Sequence, residues 1–283
     1  MRESLLAQKG LIAMGMMVDQ TNTFLESSSW KKRFPGLTAL FTTKHGGVSQ
    51  GYFSSLNTGL HVNDQRLDVI HNRHTVARNS GWELNKWIFA DQVHGTRVVQ
   101  VTSRHAGMGT ENYSGAVKAA DGLWTFDQGV GLSLGFADCV PIYFAEPETG
   151  YAGVAHAGWK GSVGNIAGEM IRQAAEAGVC AEKVYVMIGP SIGECCYQVD
   201  QRVIDQIPED ISGKGIYETV AEGQYKLNLQ ELNKQLLLKA GVKEHHIEIS
   251  GMCTGCYDQL FFSHRRDQGK TGRMSAVIGW RES

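Results

Sequence analysis

A series of short β-prone segments, many of them close together in the chain, is the feature that most constrains the fold. We predict strands at residues 39–43, 87–90, 98–101, 122–126, 131–136, 141–144, 151–155, 184–188 and 275–280. The strands at 141–144 and 151–155 are predicted to form a hairpin, and apolar spacing predicts helices at 165–177, 228–240 and near 64–80. Because strands outnumber helices and follow each other closely, the pattern favours a mixed α/β (α+β) sandwich over a doubly wound sheet.

Length and charge narrow the class of protein. The chain has 283 residues, of which 42% are hydrophobic, and this is enough to bury a substantial core. We interpret residues 31–283 as a single catalytic domain and residues 1–30 as a weakly structured lead-in. The formal net charge is -2 and no basic stripe is present, which argues against binding to nucleic acid.

The sequence indicates a cytoplasmic protein that does not bind membranes. No apolar run reaches the roughly 18 residues that a membrane-spanning helix needs, and the first residues form no continuous apolar signal segment. Six cysteines in a long chain of this kind are better interpreted as reduced thiols than as a disulfide framework. We expect a monomer or a weak homo-oligomer.

Three motifs at the ends of predicted strands contain residues that can bind a metal. They are DQVHG at 91–95, ADCVP at 137–141 and AHAGWKG at 155–161, and they contribute His94, Cys139 and His156. Strand ends meet at the edge of a sheet, and two imidazoles with one thiolate form an ordinary zinc ligand set that leaves one position open. The spacing along the chain matches no short zinc motif, so two other interpretations stay open. The residues are structural, or Cys139 is a nucleophile beside a histidine, with Asp138 orienting the base.

Other cysteines and basic residues form weaker signals. Cys253 and Cys256 form a CxxC motif, but no second CxxC exists, so we interpret them as structural or adventitious thiols. The vicinal pair Cys195 and Cys196 completes a four-cysteine site only if the fold brings it there. Basic residues group at 44–47, at 71–73 and at 264–273, and arginines near glycine-rich turns suit phosphate or carboxylate.

Eight stretches of the chain together resemble the YfiH/YlmD family, whose members are also labelled laccase-domain or polyphenol oxidase proteins. They are TTKHGGVSQGYFSSLNTGLHVND (42–64), NRH (72–74), DQVHG (91–95), AADG (119–122), ADCVPI (137–142), AHAGWKG (155–161), IGPSIGECCY (188–197) and FSHRRDQGKTGRM (262–274). The resemblance implies an αββα sandwich with mixed sheets, similar to the catalytic domain of the cytotoxic necrotizing factor toxins. It also implies zinc on His94, Cys139 and His156.

The resemblance further implies purine nucleoside phosphorylase activity on adenosine, inosine and S-methyl-5'-thioadenosine, with adenosine deaminase activity in the same site. The expected partners are therefore purine nucleosides and phosphate. One departure is Lys44, where the family often has arginine, because lysine keeps the charge but loses the bidentate fork.

We assign roles to the remaining candidates as hypotheses. Cys139, Asp138 and Asp121 are the catalytic candidates, with an aspartate moving the proton. The candidates for substrate binding are Lys44, Asn57, His61, Arg73, Gln92 and Arg265.

Three other functions are weighed against the phosphorylase: a cysteine hydrolase or amidase that uses Cys139, a copper-dependent phenol oxidase, and a non-catalytic binding module. None of the ten histidines lies in a His-x-His motif, which disfavours a multicopper oxidase, although two histidines and a cysteine also accept adventitious Cu²⁺.

Overall fold

Two six-stranded sheets form the centre of this computed structural model, which describes residues 16–212 and 215–282. The strands are β1 (Met16–Val18), β2 (Phe24–Ser27), β3 (Leu37–Thr42), β4 (Trp87–Phe89), β5 (Val98–Gln100), β6 (Gly122–Thr125), β7 (Gly131–Phe136), β8 (Val140–Glu146), β9 (Tyr151–Ala157), β10 (Tyr185–Ile188), β11 (Gln198–Asp200), β12 (Tyr217–Ala221), β13 (Gln224–Leu227), β14 (Ile247–Ile249) and β15 (Met274–Trp280). The helices are α1 (Ser28–Arg33), α2 (Arg66–Asn79), α3 (Trp159–Val163), α4 (Ile166–Glu176), α5 (Gln201–Ile204) and α6 (Leu229–Lys239).

Both large sheets are mixed. The first has the order β1-β2-β3-β15-β7-β4, and the second has the order β14-β10-β8-β9-β6-β5. Parallel pairing occurs between β4 and β7, between β5 and β6, and between β10 and β14, and the other neighbours in these two sheets are antiparallel. A small third sheet has the order β11-β13-β12.

The main core lies between the two large sheets. Along β7, Leu132, Leu134 and Phe136 alternate with smaller residues and are almost completely buried, as expected for one face of a strand. They pack in the same cluster as Val154 of β9 and other side chains of the second sheet. The sheets are therefore held face to face by apolar burial.

Helices cover the outer faces of both sheets. Val76 and Ala77 of α2 pack with Trp87 of β4 on the outside of the first sheet. Met170 of α4 and Leu236 of α6 pack on the outside of the second sheet. The order of layers is helix, sheet, sheet, helix, and the predicted mixed αββα sandwich is confirmed.

The structure differs from the sequence expectation over residues 16–30. That part contributes β1, β2 and the start of α1, and Leu25 is fully buried in the main core. The segment is short and polar in places, so it carries no clear strand signal, and pairing with β3 supplies its order. Residues 1–15 of the predicted lead-in lie outside the described residues.

Two further features bear on the sequence expectations. Within residues 16–212 and 215–282, no helix combines the length and apolar character needed to cross a membrane. All six cysteines carry free thiols.

Candidate metal centre

The pairing of β8 with β9 brings two of the candidate ligands together. The strands are antiparallel, with Val140 opposite Ala157 and Pro141 opposite His156. Cys139 precedes the first residue of β8, so it lies beside the last residues of β9. Sequence-distant side chains meet here because the hairpin register places the start of one strand beside the end of the other.

The third ligand comes from the loop before β5. Strands β5 and β6 are parallel, with Val98 opposite Gly122, so both start at the same edge of the second sheet. His94 lies in the loop that enters β5, and Asp121 immediately precedes β6. His94 has a φ of 59°, a left-handed conformation that is uncommon for histidine and is held by the hydrogen bonds described next.

Asp121 organises this edge of the sheet. Its side chain is fully buried and accepts hydrogen bonds from the backbone N–H groups of His94 at 3.0 Å and Gly95 at 2.7 Å. It also accepts one from Nδ1 of His156 at 2.8 Å. Burial opposes its charge, but these donors hold the pKa of Asp121 below its usual value. The bond to Nδ1 leaves Nε2 of His156 as the ring nitrogen available to a metal, which is the usual carboxylate–histidine arrangement of zinc sites.

His94, Cys139 and His156 form one compact donor group. Their ligand atoms all lie within 4.8 Å of one another. His156 is buried, Cys139 is half-buried and His94 is exposed, so the group opens on one side. Two nitrogens and one sulfur fit zinc, and three protein ligands leave the fourth position accessible from the cavity.

The two histidines favour the thiolate of Cys139. Burial opposes ionisation, but the charges and hydrogen bonds of His156 and His94 lower the pKa of the thiol to about 6. Burial likewise opposes the charged form of His156, and Cys139 and Asp121 raise its pKa to about 9. Cys139 is therefore available as a thiolate near neutral pH, and a metal bound at Nε2 of His156 would displace a proton from that ring.

Gly158 allows the backbone to approach this group closely. A Cβ atom at this position would lie 2.9 Å from Sγ of Cys139 and 3.4 Å from Cδ2 of His94. Only glycine leaves room for both side chains at the junction of β9 and α3.

A cavity of about 570 Å³ extends from the donor group to the surface. Its walls include the aromatic side chains of Tyr113, Trp159 and Tyr197, and its cationic side chains are those of Lys160, Arg265 and Arg273. In the described residues, no carboxylate lies within 4.0 Å of the charged nitrogens of Lys160, Arg265 or Arg273. The size suits a small organic molecule, and the unpaired cations suit an anion.

Four of the other residues predicted for the site line this cavity: Asp138, His61, Gln92 and Arg265. Gln92 exchanges two hydrogen bonds with the backbone of Gly135, at 2.9 and 2.7 Å, and so ties its loop to β7. His61 lies against Tyr113, with ring centroids 5.7 Å apart.

Asp138 supports neighbouring loops. It is buried, and its carboxylate accepts hydrogen bonds from Thr254 Oγ1 at 2.6 Å and from the backbone N–H of Arg265 at 2.7 Å. Its backbone carbonyl accepts from the N–H of Ile192 at 2.8 Å. Both carboxylate oxygens are therefore occupied by groups that hold one wall of the cavity.

Lys44, Asn57 and Arg73 are not among the residues that line the cavity. Lys44 lines a separate depression with Tyr52 and Lys270. Arg73 is buried, and its guanidinium donates to the carbonyls of Thr58, Gly109 and Thr110.

Asn57 contacts the backbone of a residue that lines the cavity. It is fully buried, and its Oδ1 accepts a hydrogen bond from the backbone N–H of Arg273 at 2.8 Å. Asn57 therefore helps to fix the segment that carries a cavity-lining cation.

Sequence reasoning assigned no role to several cavity residues. Trp159 and Lys160 stand inside the AHAGWKG motif, and Arg273 stands in the last basic group, so their motifs carried a signal. Tyr197 ends the motif IGPSIGECCY at 188–197, so it also stood in a segment with a signal, whereas Tyr113 lies in none of the eight stretches.

Comparisons with known proteins show which family this chain resembles in sequence and in fold. A family model described as "Multi-copper polyphenol oxidoreductase laccase" matches residues 38–281. Purine nucleoside phosphorylase YlmD of Geobacillus stearothermophilus is 48% identical over 253 residues, which cover 88% of this chain and 92% of that protein. Its solved structure gives a TM-score of 0.89 at 45% identity and covers 93% of this chain and 98% of that chain. Adenosine deaminase RL5, from an unknown prokaryotic organism, is 29% identical over 255 residues, which cover 88% of this chain and 96% of that protein.

Proposed function

The chain belongs to the laccase-like YfiH/YlmD family, and on that premise we propose that it is a zinc-dependent purine nucleoside phosphorylase. Its proposed substrates are adenosine, inosine and S-methyl-5'-thioadenosine, each cleaved by phosphate to the free base and the ribose 1-phosphate. A second activity, deamination of adenosine, is proposed for the same site.

One observation carries the proposal. A donor group of two imidazoles and a thiolate faces a cavity of about 570 Å³ that also carries aromatic side chains and unpaired cations. A nucleoside presents an aromatic base and a ribose, and its co-substrate is an anion. The cavity offers a surface for the base and charge for the phosphate at the same place.

Zinc is the metal that the donor set favours. Thiolate and imidazole ligands select it over Mg²⁺ and Ca²⁺, and Asp121 provides the supporting carboxylate for His156. A bound zinc ion would supply Lewis acidity at the open position that faces the cavity. Two histidines and a cysteine also accept Cu²⁺, but within the described residues neither group of metal-binding side chains contains more than two histidines, which disfavours a multicopper cluster.

We assign phosphate binding to the cations at the cavity. Arg265 and Arg273 come from one segment, and Lys160 comes from the turn after β9. Hydrogen phosphate held by these side chains would attack C1′ of the ribose as the bond from C1′ to the base breaks. The proton of the hydrogen phosphate passes to the leaving base, which gives the free base and ribose 1-phosphate. Tyr113 and His61 form the wall against which the purine would stack.

The aspartates act by positioning in this proposal. Asp121 is fully buried and fixes His94 and His156. Asp138 holds the backbone of Arg265 and thereby the phosphate side of the cavity. Cys139 is proposed as a metal ligand.

A cysteine hydrolase is the second candidate, because Cys139, His156 and Asp121 also have the order of a nucleophile, a base and an orienting acid. Metal removal separates the two functions. The phosphorylase loses turnover in a chelator and recovers it with zinc, whereas a thiol hydrolase retains activity in the chelator and loses it on alkylation.

The direct test is incubation with inosine in the presence and absence of phosphate. Hypoxanthine and ribose 1-phosphate formed only with phosphate would support phosphorolysis. Free ribose, or no cleavage, would overturn it.

Variants locate the phosphate. Arg265→Gln is expected to raise the KM for phosphate by roughly ten- to a hundredfold, because a hydrogen bond to a charged group contributes about 1.5–3 kcal/mol. Lys44→Gln tests the sequence-based candidate, and Arg202→Gln, on the exposed α5, is the matched control. A larger effect at Lys44 than at Arg265 would move the phosphate site to the other depression.

A further inference from the structure

A second group of sulfur atoms lies apart from the candidate metal centre. Cys195 and Cys196 lie in a short 3-10 turn after β10, and Cys253 and Cys256 lie in the loop after β14. Their four Sγ atoms all lie within 4.8 Å of one another. The CxxC motif thus lies next to the vicinal pair of cysteines. The spacing of the cysteines along the chain does not predict this contact.

The fold brings these loops together through backbone pairing. Strands β10 and β14 are parallel neighbours, so the loops that follow them leave the same edge of the second sheet. Ser191 and Cys253 continue this pairing as an isolated parallel bridge. The N–H of Thr254 donates to the carbonyl of Ser191 at 2.9 Å. The meeting of the four cysteines is therefore fixed by the sheet and does not depend on side-chain conformation alone.

The separations between the sulfurs are within about 0.5 Å of those around one tetrahedral zinc ion. A zinc–sulfur bond of about 2.3 Å places the sulfurs of a tetrahedral site about 3.8 Å apart. The Sγ of Cys256 lies 3.3 Å from that of Cys195 and 3.5 Å from that of Cys196. Cys195 and Cys256 are exposed, so burial of apolar surface does not explain why they converge.

The backbone around the cysteines is adapted to this convergence. The N–H of Gly193 donates to Sγ of Cys253 at 3.2 Å, so the backbone of the first loop contacts a sulfur of the second. A Cβ at Gly193 would lie 3.1 Å from Cβ of Cys253, and a Cβ at Gly255 would lie 2.9 Å from Sγ of Cys196. A side chain at either glycine would push the sulfurs apart.

We propose that Cys195, Cys196, Cys253 and Cys256 form a second metal centre that binds one zinc ion through four thiolates. Four thiolates select zinc over hard cations, and four protein ligands close the coordination sphere, as in structural sites. This centre is distinct in ligands and in role from the group of His94, Cys139 and His156.

The second centre would stabilise one wall of the cavity. Thr254, between the two cysteines of the CxxC motif, donates to Asp138 at 2.6 Å, and its carbonyl accepts from Nη1 of Arg266 at 3.0 Å. Ile192, which lines the cavity, donates to the carbonyl of Asp138. A zinc ion would join the two loops that hold Asp138 from either side.

The test counts metal on the full chain purified under reducing conditions and loaded with zinc. Native mass spectrometry is expected to give two zinc ions per chain for the unaltered protein and one for Cys139→Ala. Cys195→Ser/Cys256→Ser is expected to retain one, and Cys180→Ser, which alters an exposed thiol outside both groups, is the control that retains two.

Cobalt provides an independent readout that does not need the double variant to fold. Cys139→Ala loaded with Co²⁺ is expected to show strong sulfur-to-cobalt charge-transfer absorption from four thiolates. An unaltered protein that binds one zinc ion and loses it completely in Cys139→Ala would overturn the proposal. So would two zinc ions in folded Cys195→Ser/Cys256→Ser, or no charge-transfer band in cobalt-loaded Cys139→Ala.

Discussion

Asp121 is the single side chain that connects most of the candidate metal centre. A buried carboxylate without partners is costly, and this one is compensated by three backbone N–H groups and the ring of His156. The same bonds fix a left-handed histidine and select the nitrogen of His156 that faces the donor group. One residue therefore sets the geometry of two ligands that lie 62 positions apart in the chain (156 − 94).

Replacing Asp121 by asparagine is expected to weaken zinc affinity by about ten- to a hundredfold, the usual effect of losing a supporting carboxylate. The size of the side chain is kept, so the change acts through charge and hydrogen bonding. Competition with a coloured chelator measures the affinity. Asp205→Asn, an exposed carboxylate of the same size, should leave it unchanged, and equal affinities for both variants would remove Asp121 from the site.

The thiol of Cys139 gives a prediction for the metal-free protein. Its pKa is lowered to about 6, so the reactive thiolate increases as pH rises through about 6, well below the value of about 8.5 of an ordinary thiol. Alkylation by iodoacetamide, followed peptide by peptide, is expected to show this midpoint. His156→Gln removes the main cation and should move the midpoint upwards. A midpoint above 8 in the unaltered, metal-free protein would contradict the favoured thiolate.

At the scale of elements, the junction of β9 and α3 leaves little room for added bulk beside the donor group. Gly158→Ala places a carbon 2.9 Å from Sγ of Cys139, and displacements of about 1 Å near reacting groups can reduce turnover about a hundredfold. We expect reduced zinc content and a loss of turnover of that order. Gly115→Ala, where the nearest atom would be 3.8 Å away, is the matched control. Unchanged zinc content in Gly158→Ala would show that the junction has room to adjust.

Elements with strong local signals are predictable from the sequence. Asn165 and Asn228 cap helices whose apolar residues recur at helical spacing, and α4 and α6 lie within one residue of the predicted ranges at each end. The strand β12 is short and largely exposed, and β13 has four residues of which only Leu227 is buried, so no apolar alternation marks them. The local sequence pattern identifies helices and strands that bury one apolar face. It misses strands that are fixed mainly by pairing with neighbouring strands.

In the candidate site, too, local sequence patterns predict some residues and tertiary contacts decide the others. His94, Cys139 and His156 could be selected because each follows or precedes a strand signal in a short motif. Arg265 could be selected from its basic motif, but Arg273 could not be told from Arg73, because both lie in basic motifs and only their tertiary partners differ. The four clustered cysteines depend on two loops that meet through parallel pairing, and the spacing of cysteines along the chain contains no record of it.

At the scale of the whole molecule, the two large sheets share one core and are also joined by a polar bond. The hydroxyl of Tyr143, on β8, donates to the carbonyl of Leu40, on β3 of the other sheet, at 2.8 Å. Burial raises the pKa of Tyr143 well above its usual value, so the side chain stays a neutral donor. The ring fills space between the sheets while the hydroxyl fixes their relative position.

Tyr143→Phe separates these two contributions. The ring keeps its packing and only the hydrogen bond is lost, so the free energy of unfolding is expected to fall by about 0.5–1.5 kcal/mol. For a chain of this size that corresponds to a decrease in Tm of roughly 1–6 °C, measured by calorimetry at fixed zinc concentration because bound metal also shifts Tm. Tyr225→Phe in the small third sheet is the control and should change Tm less. Tyr143→Ala also removes the ring and is expected to cost about 3–5 kcal/mol. If Tyr143→Phe lowers Tm as much as Tyr143→Ala does, the hydroxyl alone holds the sheets together. If Tyr143→Phe does not lower Tm, apolar packing sets the position of the sheets without the hydrogen bond.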